Sequence, residues 1–204
     1  MPKGAFYDIR CRIDGIGRHA RFRFLCLRRV GSSPTSCIFY FLVKIMEQGR
    51  TIIYYGKGKG KSSAALGAAV RFAALGGKAV IIQFLKEKQD ADYYSKLEPE
   101  VKVFRFAKSN ESFDSISEEQ RQEELDNIKN GILYARKVLT TGEADMVVLD
   151  ELLGLVDQDI VSMDEVEDLI KSRGVFTSLI LTGVNLSDNL QNMADEVYNI
   201  SSEK

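Results

Sequence analysis

The sequence predicts an α/β fold, with a mostly parallel β-sheet and helices packed on both of its faces. Short apolar runs alternate with longer amphipathic segments after residue 50. This alternation is typical of parallel sheets, because each crossover between parallel strands needs room for a helix. A glycine-rich turn also follows the first of these apolar runs. Ligands of such folds bind at the carboxyl ends of the strands, so the residues just after each run are the candidates for function.

The first 45 residues differ in composition from the rest of the chain. They carry nine Lys and Arg residues against two Asp and Glu, a net charge of +7, so residues 46–204 carry −8 to give the total of −1. They show neither a clean strand alternation nor a helical period, and they lack the cleavage site of a secretory signal. We predict that residues 1–45 are a basic extension outside the folded domain and that Met46 is the true start. The alternative is an organellar presequence, because the segment is rich in Arg and poor in acids.

The composition of residues 46–204 excludes several kinds of chemistry. All three cysteines and the single histidine lie before Met46, and the chain has no tryptophan. Thiol catalysis, histidine general bases, disulfides and Cys/His zinc sites are therefore excluded from the predicted domain. No run approaches the roughly 18 apolar residues of a membrane helix, and the acidic charge disfavours nucleic-acid binding. We expect a cytoplasmic domain that binds neither membrane nor nucleic acid.

The first predicted strand, Ile52–Tyr55, runs into a glycine-rich loop and then into an alanine-rich helix that ends near Gly76. Glycines let successive backbone N–H groups point inward, and the helix start offers unpaired amides, so this junction predicts a phosphate-binding loop. A basic flexible linker is the alternative, but a linker does not lie between a strand and a helix. The strict P-loop pattern needs a glycine where this chain has Tyr55. The predicted phosphate-binding residues are consecutive: Gly56, Lys57, Gly58, Lys59, Gly60, Lys61, Ser62 and Ser63.

These loop residues have different predicted roles. A charge-assisted hydrogen bond contributes about 1.5–3 kcal/mol, against about 0.3–1 kcal/mol for a helix dipole. Lys61 and the loop amides should therefore hold a triphosphate, with Ser62 placed to bind Mg²⁺. Lys57 and Lys59 either add charge for the phosphates or remain solvated.

Two strands are predicted after this helix. Lys78–Lys86 is a continuous apolar run and predicts a strand buried on both faces. Val101–Phe106 alternates with period two and predicts an edge or half-exposed strand. The polar residues between them, Glu87–Pro99, predict a loop or a short helix.

A long helix is predicted next, because Ser117 and Gln120 form a capping-box pattern. It should run to about Leu139 and end at Thr141-Gly142. Its predicted buried stripe consists of Leu125, Ile128, Ile132, Leu133 and Ala135.

The strand Met146–Glu151 ends in two acidic residues, Asp150 and Glu151. Carboxylates at a strand end reach the edge where Mg²⁺ lies beside a phosphate loop. Lys61 and Glu151 are therefore the predicted catalytic residues. The predicted metal ligands are Ser62 and Glu151, with Asp150 as an outer neighbour or an alternative ligand.

Four elements complete the predicted domain. Ser162 caps a helix that runs to about Arg173, with Glu165 as its capping-box partner. A buried strand follows, then a short helix and a last strand. These three are predicted at Thr177–Gly183, Ser187–Ala194 and Glu196–Ile200.

Five stretches together resemble the P-loop corrinoid adenosyltransferases. They are the loop with the start of its helix, the ends of three strands and a late dipeptide: Gly56–Ala65, Gln83–Lys86, Val148–Leu152, Leu181–Gly183 and Ala194-Asp195. The similarity spans about residues 48–200, and the shortened loop after Tyr55 is itself a feature of that family.

The resemblance implies a three-layer fold of the P-loop NTPase type. It implies transfer of the 5′-deoxyadenosyl group of ATP to the reduced cobalt of a corrinoid, such as cob(I)yrinic acid a,c-diamide or cobalamin, with release of triphosphate, in cobalamin biosynthesis or salvage. It also implies a cytoplasmic homodimer supplied with electrons by a reductase or flavoprotein. The protein would use Mg²⁺ with ATP, through Ser62 and Glu151.

The chain departs from the family pattern in two places. Val184 stands where family members usually have Arg, and Ser112–Ser115 is the nearest counterpart of an aromatic segment near the corrin. Phe113 is therefore a candidate for packing on the corrin, with a core or loop aromatic as the alternative. Two other functions stay open: a P-loop ATPase or small-molecule kinase acting at the γ-phosphate, and an ATP-binding relative without turnover.

Overall fold

The computed structural model describes the side chains and backbone of most residues in the ranges 48–85, 92–106 and 117–203, and the backbone of two earlier strands. The chain divides into two compact units, Met1–Met46 and Glu47–Lys204. In the first unit, β1 (Phe6–Cys11) pairs antiparallel with β2 (Ala20–Leu25). The sequence of β2 alternates arginine and phenylalanine from Arg21 to Phe24, so the expectation that this segment has no strand alternation is wrong for this strand. The expectation that the native domain starts at Met46 stays a prediction.

The second unit contains one parallel sheet of six strands in the order β5-β4-β6-β7-β3-β8. Every neighbouring pair in this sheet is parallel, which confirms the predicted fold class. The strands are β3 (Thr51–Tyr55), β4 (Ala79–Gln83), β5 (Val101–Arg105), β6 (Met146–Asp150), β7 (Ser178–Gly183) and β8 (Glu196–Asn199).

Helices connect these strands in the described part of the chain, and none of them has the length and hydrophobicity to cross a membrane. A 3₁₀ helix at Asp92–Leu97 precedes β5. The α-helices are α1 (Lys61–Ala74), α2 (Glu118–Thr141), α3 (Leu152–Asp157), α4 (Met163–Ser172) and α5 (Asp188–Met193).

Both predicted capping boxes are formed. The Ser117 hydroxyl accepts a hydrogen bond from the Gln120 amide, and the Gln120 side chain accepts one from the Ser117 amide. Ser162 and Glu165 exchange the same pair at the start of α4. Each box satisfies two of the amides that a helix start leaves without an intrahelical acceptor, which explains why these helices begin where the sequence predicts.

The sheet is the middle layer of three, because successive residues of one strand belong to different cores. Val80 and Ile82 of β4 pack in the larger cluster, with residues of α2, α3, α4 and α5. Ala79 and Ile81 pack in the smaller cluster, beneath the alanines of α1. Side chains alternate between the two faces of a strand, so the continuous apolar run of β4 is what a sheet covered on both faces requires.

One expectation about the helices is wrong. Leu133 of α2 was expected in the buried stripe, but 64% of its surface is exposed. The buried stripe of α2 instead includes Ile128, Ile132, Ala135 and Leu139, and Leu133 lies about 100° around the helix from Ile132, on the solvent side. The sequence also did not indicate α3, which is a six-residue helix directly after β6.

Candidate active site

Three strand ends bring the predicted site residues to one edge of the sheet. Strand β7 lies between β3 and β6, and Tyr55 at the end of β3 is in register with Gly183 at the end of β7. Since all strands are parallel, Gly183 at the end of β7 lies at the same carboxyl edge as Gly56 and Glu151, which directly follow β3 and β6. Lys86, the last residue of the predicted strand Lys78–Lys86, lies outside the described residues.

Lys61 is the first residue of α1, and its ammonium group lies within the curl of the glycine-rich loop. Its Nζ donates hydrogen bonds to the carbonyl oxygens of Gly56, at 2.8 Å, and of Gly58, at 3.0 Å. The residue is only 8% exposed. The Lys61 ammonium lies at the start of α1, where it can bind an anion, and the dipole of the helix also favours an anion at this end.

The loop glycines are needed for two different reasons. Gly56 and Gly60 have φ angles of 118° and 115°, in a region that L residues rarely adopt. Gly58 is needed for space, because a Cβ there would lie 2.7 Å from the carbonyl oxygen of Ile200. The segment after β8 thus crosses directly over the loop.

The amides of the loop fall into two groups. The Gly56 amide donates to the Val184 carbonyl at 3.0 Å, and the Gly58 amide donates to the Ile200 carbonyl at 2.8 Å. No described residue accepts a hydrogen bond from the amides of residues 60–63. The first group therefore fixes the loop to the sheet edge, and the second offers donors to a ligand.

The two acidic residues after β6 have different surroundings. Asp150 is 2% exposed, and its Oδ2 accepts from the Gln83 Nε2 at 3.1 Å while its Oδ1 accepts from the Thr182 Oγ1 at 2.7 Å. Glu151 is half-buried at the start of α3. Its backbone has the left-handed φ of 62°, and its amide donates to the Thr182 Oγ1 at 2.8 Å. Asp150 is thus directed into the protein, and Glu151 lies at the edge.

Residues 47–204 match the family described as ATP:corrinoid adenosyltransferase BtuR/CobO/CobP. This chain belongs to that family. Corrinoid adenosyltransferase of Escherichia coli K12 is 28% identical over 158 residues, which cover 78% of this chain and 79% of that protein. Corrinoid adenosyltransferase CobA of Salmonella typhimurium LT2 is 27% identical with the same coverage, and the corrinoid adenosyltransferase of Pseudomonas aeruginosa is 26% identical, covering 78% of this chain and 77% of that protein. The family resemblance of the sequence is confirmed.

The oxygen donors of this family member fit Mg²⁺. Ser62 is the second residue of α1 and Glu151 follows β6, so a hydroxyl and a carboxylate lie at the edge that carries the loop. The described residues contain no cluster of three His, Cys, Asp or Glu side chains that could hold a metal ion alone. Mg²⁺ bound with a nucleotide typically takes one or two protein ligands and completes its octahedron with phosphate oxygens and water. The donor set therefore suits a metal that arrives with ATP.

Sequence reasoning gave no role to three polar residues at the strand ends, Gln83, Arg105 and Thr182. The Arg105 Nε donates to the Gln83 Oε1 at 2.9 Å, and Gln83 in turn donates to Asp150. Thr182 is fully buried. The sequence feature that could have indicated such a role is a polar residue at the end of an apolar run, as in Leu179–Thr182. Phe113, the candidate for the corrin face, lies outside the described residues.

Val184, at the position where the family resemblance leads us to expect Arg, contacts the loop through its backbone. Its carbonyl accepts from the Gly56 amide, and this contact does not depend on the side chain. The contact that anchors the loop therefore does not require a particular side chain at position 184.

Proposed function

We propose that the loop from Gly56 to Ser63 holds the triphosphate of ATP while the 5′-deoxyadenosyl group passes to the reduced cobalt of a corrinoid. Membership of the adenosyltransferase family supports this reaction. The observation that carries the site assignment is the position of Lys61, whose ammonium is fixed by two loop carbonyls at the start of α1.

The reaction suits a domain without histidine or cysteine. The cobalt of a Co(I) corrinoid supplies an electron pair to the C5′ carbon of ATP, a cobalt–carbon bond forms, and the C5′–oxygen bond breaks. The bonding pair leaves with the triphosphate, so no proton has to be removed from the nucleophile. The protein has to bring the reactants together, stabilise the charge of the leaving group and exclude water. Lysine, amides and oxygen ligands are sufficient for these tasks.

Each loop residue has a proposed contribution. Lys61 and the amides of residues 60–63 bind the triphosphate, because these amides have no acceptor among the described residues. Lys57 and Lys59 are exposed and raise the positive potential at the mouth of the loop. Gly56 and Gly58 set the shape of the loop, since their amides are already used within the protein.

Ser62 and Glu151 are the proposed protein ligands of Mg²⁺, which would neutralise part of the charge of the triphosphate. Asp150 is not proposed as a direct ligand, because both of its carboxylate oxygens accept hydrogen bonds inside the protein. It lies next to the proposed metal ligand Glu151 and, through its bonds with Gln83 and Thr182, fixes the end of β6.

The assembly and partners of the enzyme are also proposals. Family resemblance supports a cytoplasmic homodimer, formed by residues 46–204, that receives its electron from a reductase or flavoprotein. Phe113 is proposed to pack on the corrin.

One experiment tests the proposed reaction. The protein is incubated anaerobically with ATP, Mg²⁺ and a chemically reduced corrinoid, and the spectral change of cobalt alkylation is followed while triphosphate is assayed. We expect alkylated corrinoid and triphosphate in equal amounts. Formation of ADP instead would identify an ATPase or kinase. Binding of ATP with no product would identify a relative without turnover, and either result would overturn the proposal.

A further inference from the structure

We infer that Thr182 is a positioning residue that holds the backbone of Glu151 in its left-handed conformation and so fixes where the Glu151 carboxylate lies. This inference rests on the proposed role of Glu151 as a ligand of Mg²⁺. Thr182 is 0% exposed, so it touches no substrate and acts through its neighbours.

The direction of the hydrogen bonds follows from the donors. The Thr182 hydroxyl has one proton, and the Asp150 carboxylate can only accept. The hydroxyl therefore donates to Asp150 Oδ1, at 2.7 Å, and its lone pairs accept the amide proton of Glu151, at 2.8 Å. One side chain of β7 thus joins the last residue of β6 to the residue that follows it.

The backbone of Glu151 needs such a restraint. A residue with a side chain rarely adopts a φ of 62° unless its surroundings hold it there. The hydrogen bond from the Glu151 amide fixes the peptide group on which this φ is defined. Asp150 and α3 fix the chain on either side, since Asp150 is buried and Leu152 and Leu153 pack in the core.

Asp150 is itself held from the other side. Its second oxygen accepts from Gln83, and Gln83 accepts from Arg105. The ends of β5, β4, β6 and β7 are adjacent in the sheet, so the hydrogen-bond chain runs along four strand ends and stops at the Glu151 amide. The carboxylate of Asp150 therefore cannot turn away without breaking bonds on both of its oxygens.

The test uses Thr182→Val, which removes the hydroxyl and keeps the shape, and Thr182→Ser, which keeps the hydroxyl. We expect Thr182→Val to raise the Mg²⁺ concentration for half-maximal ATP binding, measured by calorimetry, by about tenfold, since the loss of one hydrogen bond is of that order. Thr182→Ser should restore the wild-type value. Thr177→Val is the control, because Thr177 is a buried threonine directly before the other end of β7. It should leave the Mg²⁺ dependence unchanged.

A double-mutant cycle with Glu151→Ala separates this inference from the function on which it rests. If Thr182 acts through Glu151, Thr182→Val should add nothing to the Mg²⁺ dependence of Glu151→Ala. No effect of Glu151→Ala would overturn the proposed metal role. An effect of Glu151→Ala with wild-type Mg²⁺ dependence in Thr182→Val, or in Thr182→Ala if the valine variant does not fold, would overturn the positioning role alone.

Discussion

The carbonyl oxygen of Ile200 accepts a hydrogen bond from the Gly58 amide at 2.8 Å, which joins the segment after β8 to the phosphate-binding loop. The Ile200 amide also donates to the Tyr55 carbonyl at 2.7 Å. One residue after the last strand thus contacts both the end of β3 and the middle of the loop. The shape of the loop therefore depends on a segment about 140 residues away in sequence.

Gly58→Ala should weaken ATP binding through this contact. The new Cβ would lie 2.7 Å from the Ile200 oxygen, so either the loop or the final segment has to move. We expect KM for ATP to rise by about tenfold, equivalent to about 1.4 kcal/mol. Gly67→Ala, in α1, is the control, because its Cβ would meet nothing within 4 Å. It should raise the free energy of unfolding by about 0.5–1 kcal/mol with KM unchanged. A wild-type KM in Gly58→Ala would show that this contact does not shape the site.

Lys61→Ala should lower ATP affinity or turnover by at least about tenfold, because it removes a charge-assisted contact of about 1.5–3 kcal/mol with the triphosphate. The measurement is ATP binding by calorimetry together with kcat. Lys102→Ala is the control, because it removes the same charge from an exposed lysine on β5. It should leave ATP affinity and kcat unchanged. Equal effects of the two variants would mean that Lys61 contributes only to the general potential.

Glu151→Gln should weaken Mg²⁺-dependent activity and leave the fold intact, because the amide keeps the size of the side chain but loses its charge. The measurement is kcat as a function of Mg²⁺ concentration, with circular dichroism as the check on folding. Activity with an unchanged Mg²⁺ requirement would remove Glu151 from the proposed ligands.

Glu151→Gly should stabilise the protein relative to Glu151→Ala. Both variants lose the carboxylate, but only glycine adopts the φ of 62° without steric cost. We expect the glycine variant to be more stable by about 1 kcal/mol, since a left-handed residue with a Cβ costs roughly that amount. Denaturant unfolding of the pair measures the difference. Equal stabilities would show that the left-handed backbone at this position stores no strain.

The stability that Glu196 contributes should decrease in acid. The hydrogen bond from the Tyr198 hydroxyl, and then the bond from Arg50, hold the pKa of Glu196 below its ordinary value of 4.5. The carboxylate therefore stabilises the fold at pH values above the unfolded pKa, and this contribution is lost as the pH falls through the lower folded pKa. Arg50 is exposed and Glu196 is only partly buried, so Glu196→Gln should cost less than about 1 kcal/mol at about pH 7, and this cost should decrease as the pH falls. The free energies of unfolding of the wild type and of Glu196→Gln, measured by urea unfolding at several pH values from roughly 3 to 7, give this cost. A cost that does not change with pH would exclude an electrostatic origin.

Local signals predicted most of the elements. The capping boxes at Ser117 and Ser162 place the starts of α2 and α4 because the bonds that form them span only three residues. The apolar run of β4 and the alternation of β5 correspond to a central strand and an edge strand. Leu133 was wrongly expected to be buried because the sequence does not show how far around the helix the buried face extends.

The fold class and the strand–loop–helix junction at Lys61 follow from local patterns, because alternation, glycine spacing and capping act between neighbouring residues. Which polar groups meet at the sheet edge depends instead on the arrangement of the strands. The contacts of Thr182 with Asp150 and of Ile200 with Gly58 join distant segments, and no local pattern specifies such pairs. They depend on the strand order, which places β7 between β3 and β6 and β8 beyond β3. This order results from the packing of helices on both faces of the sheet, which involves all six strands together. The order in turn determines which strand ends are neighbours.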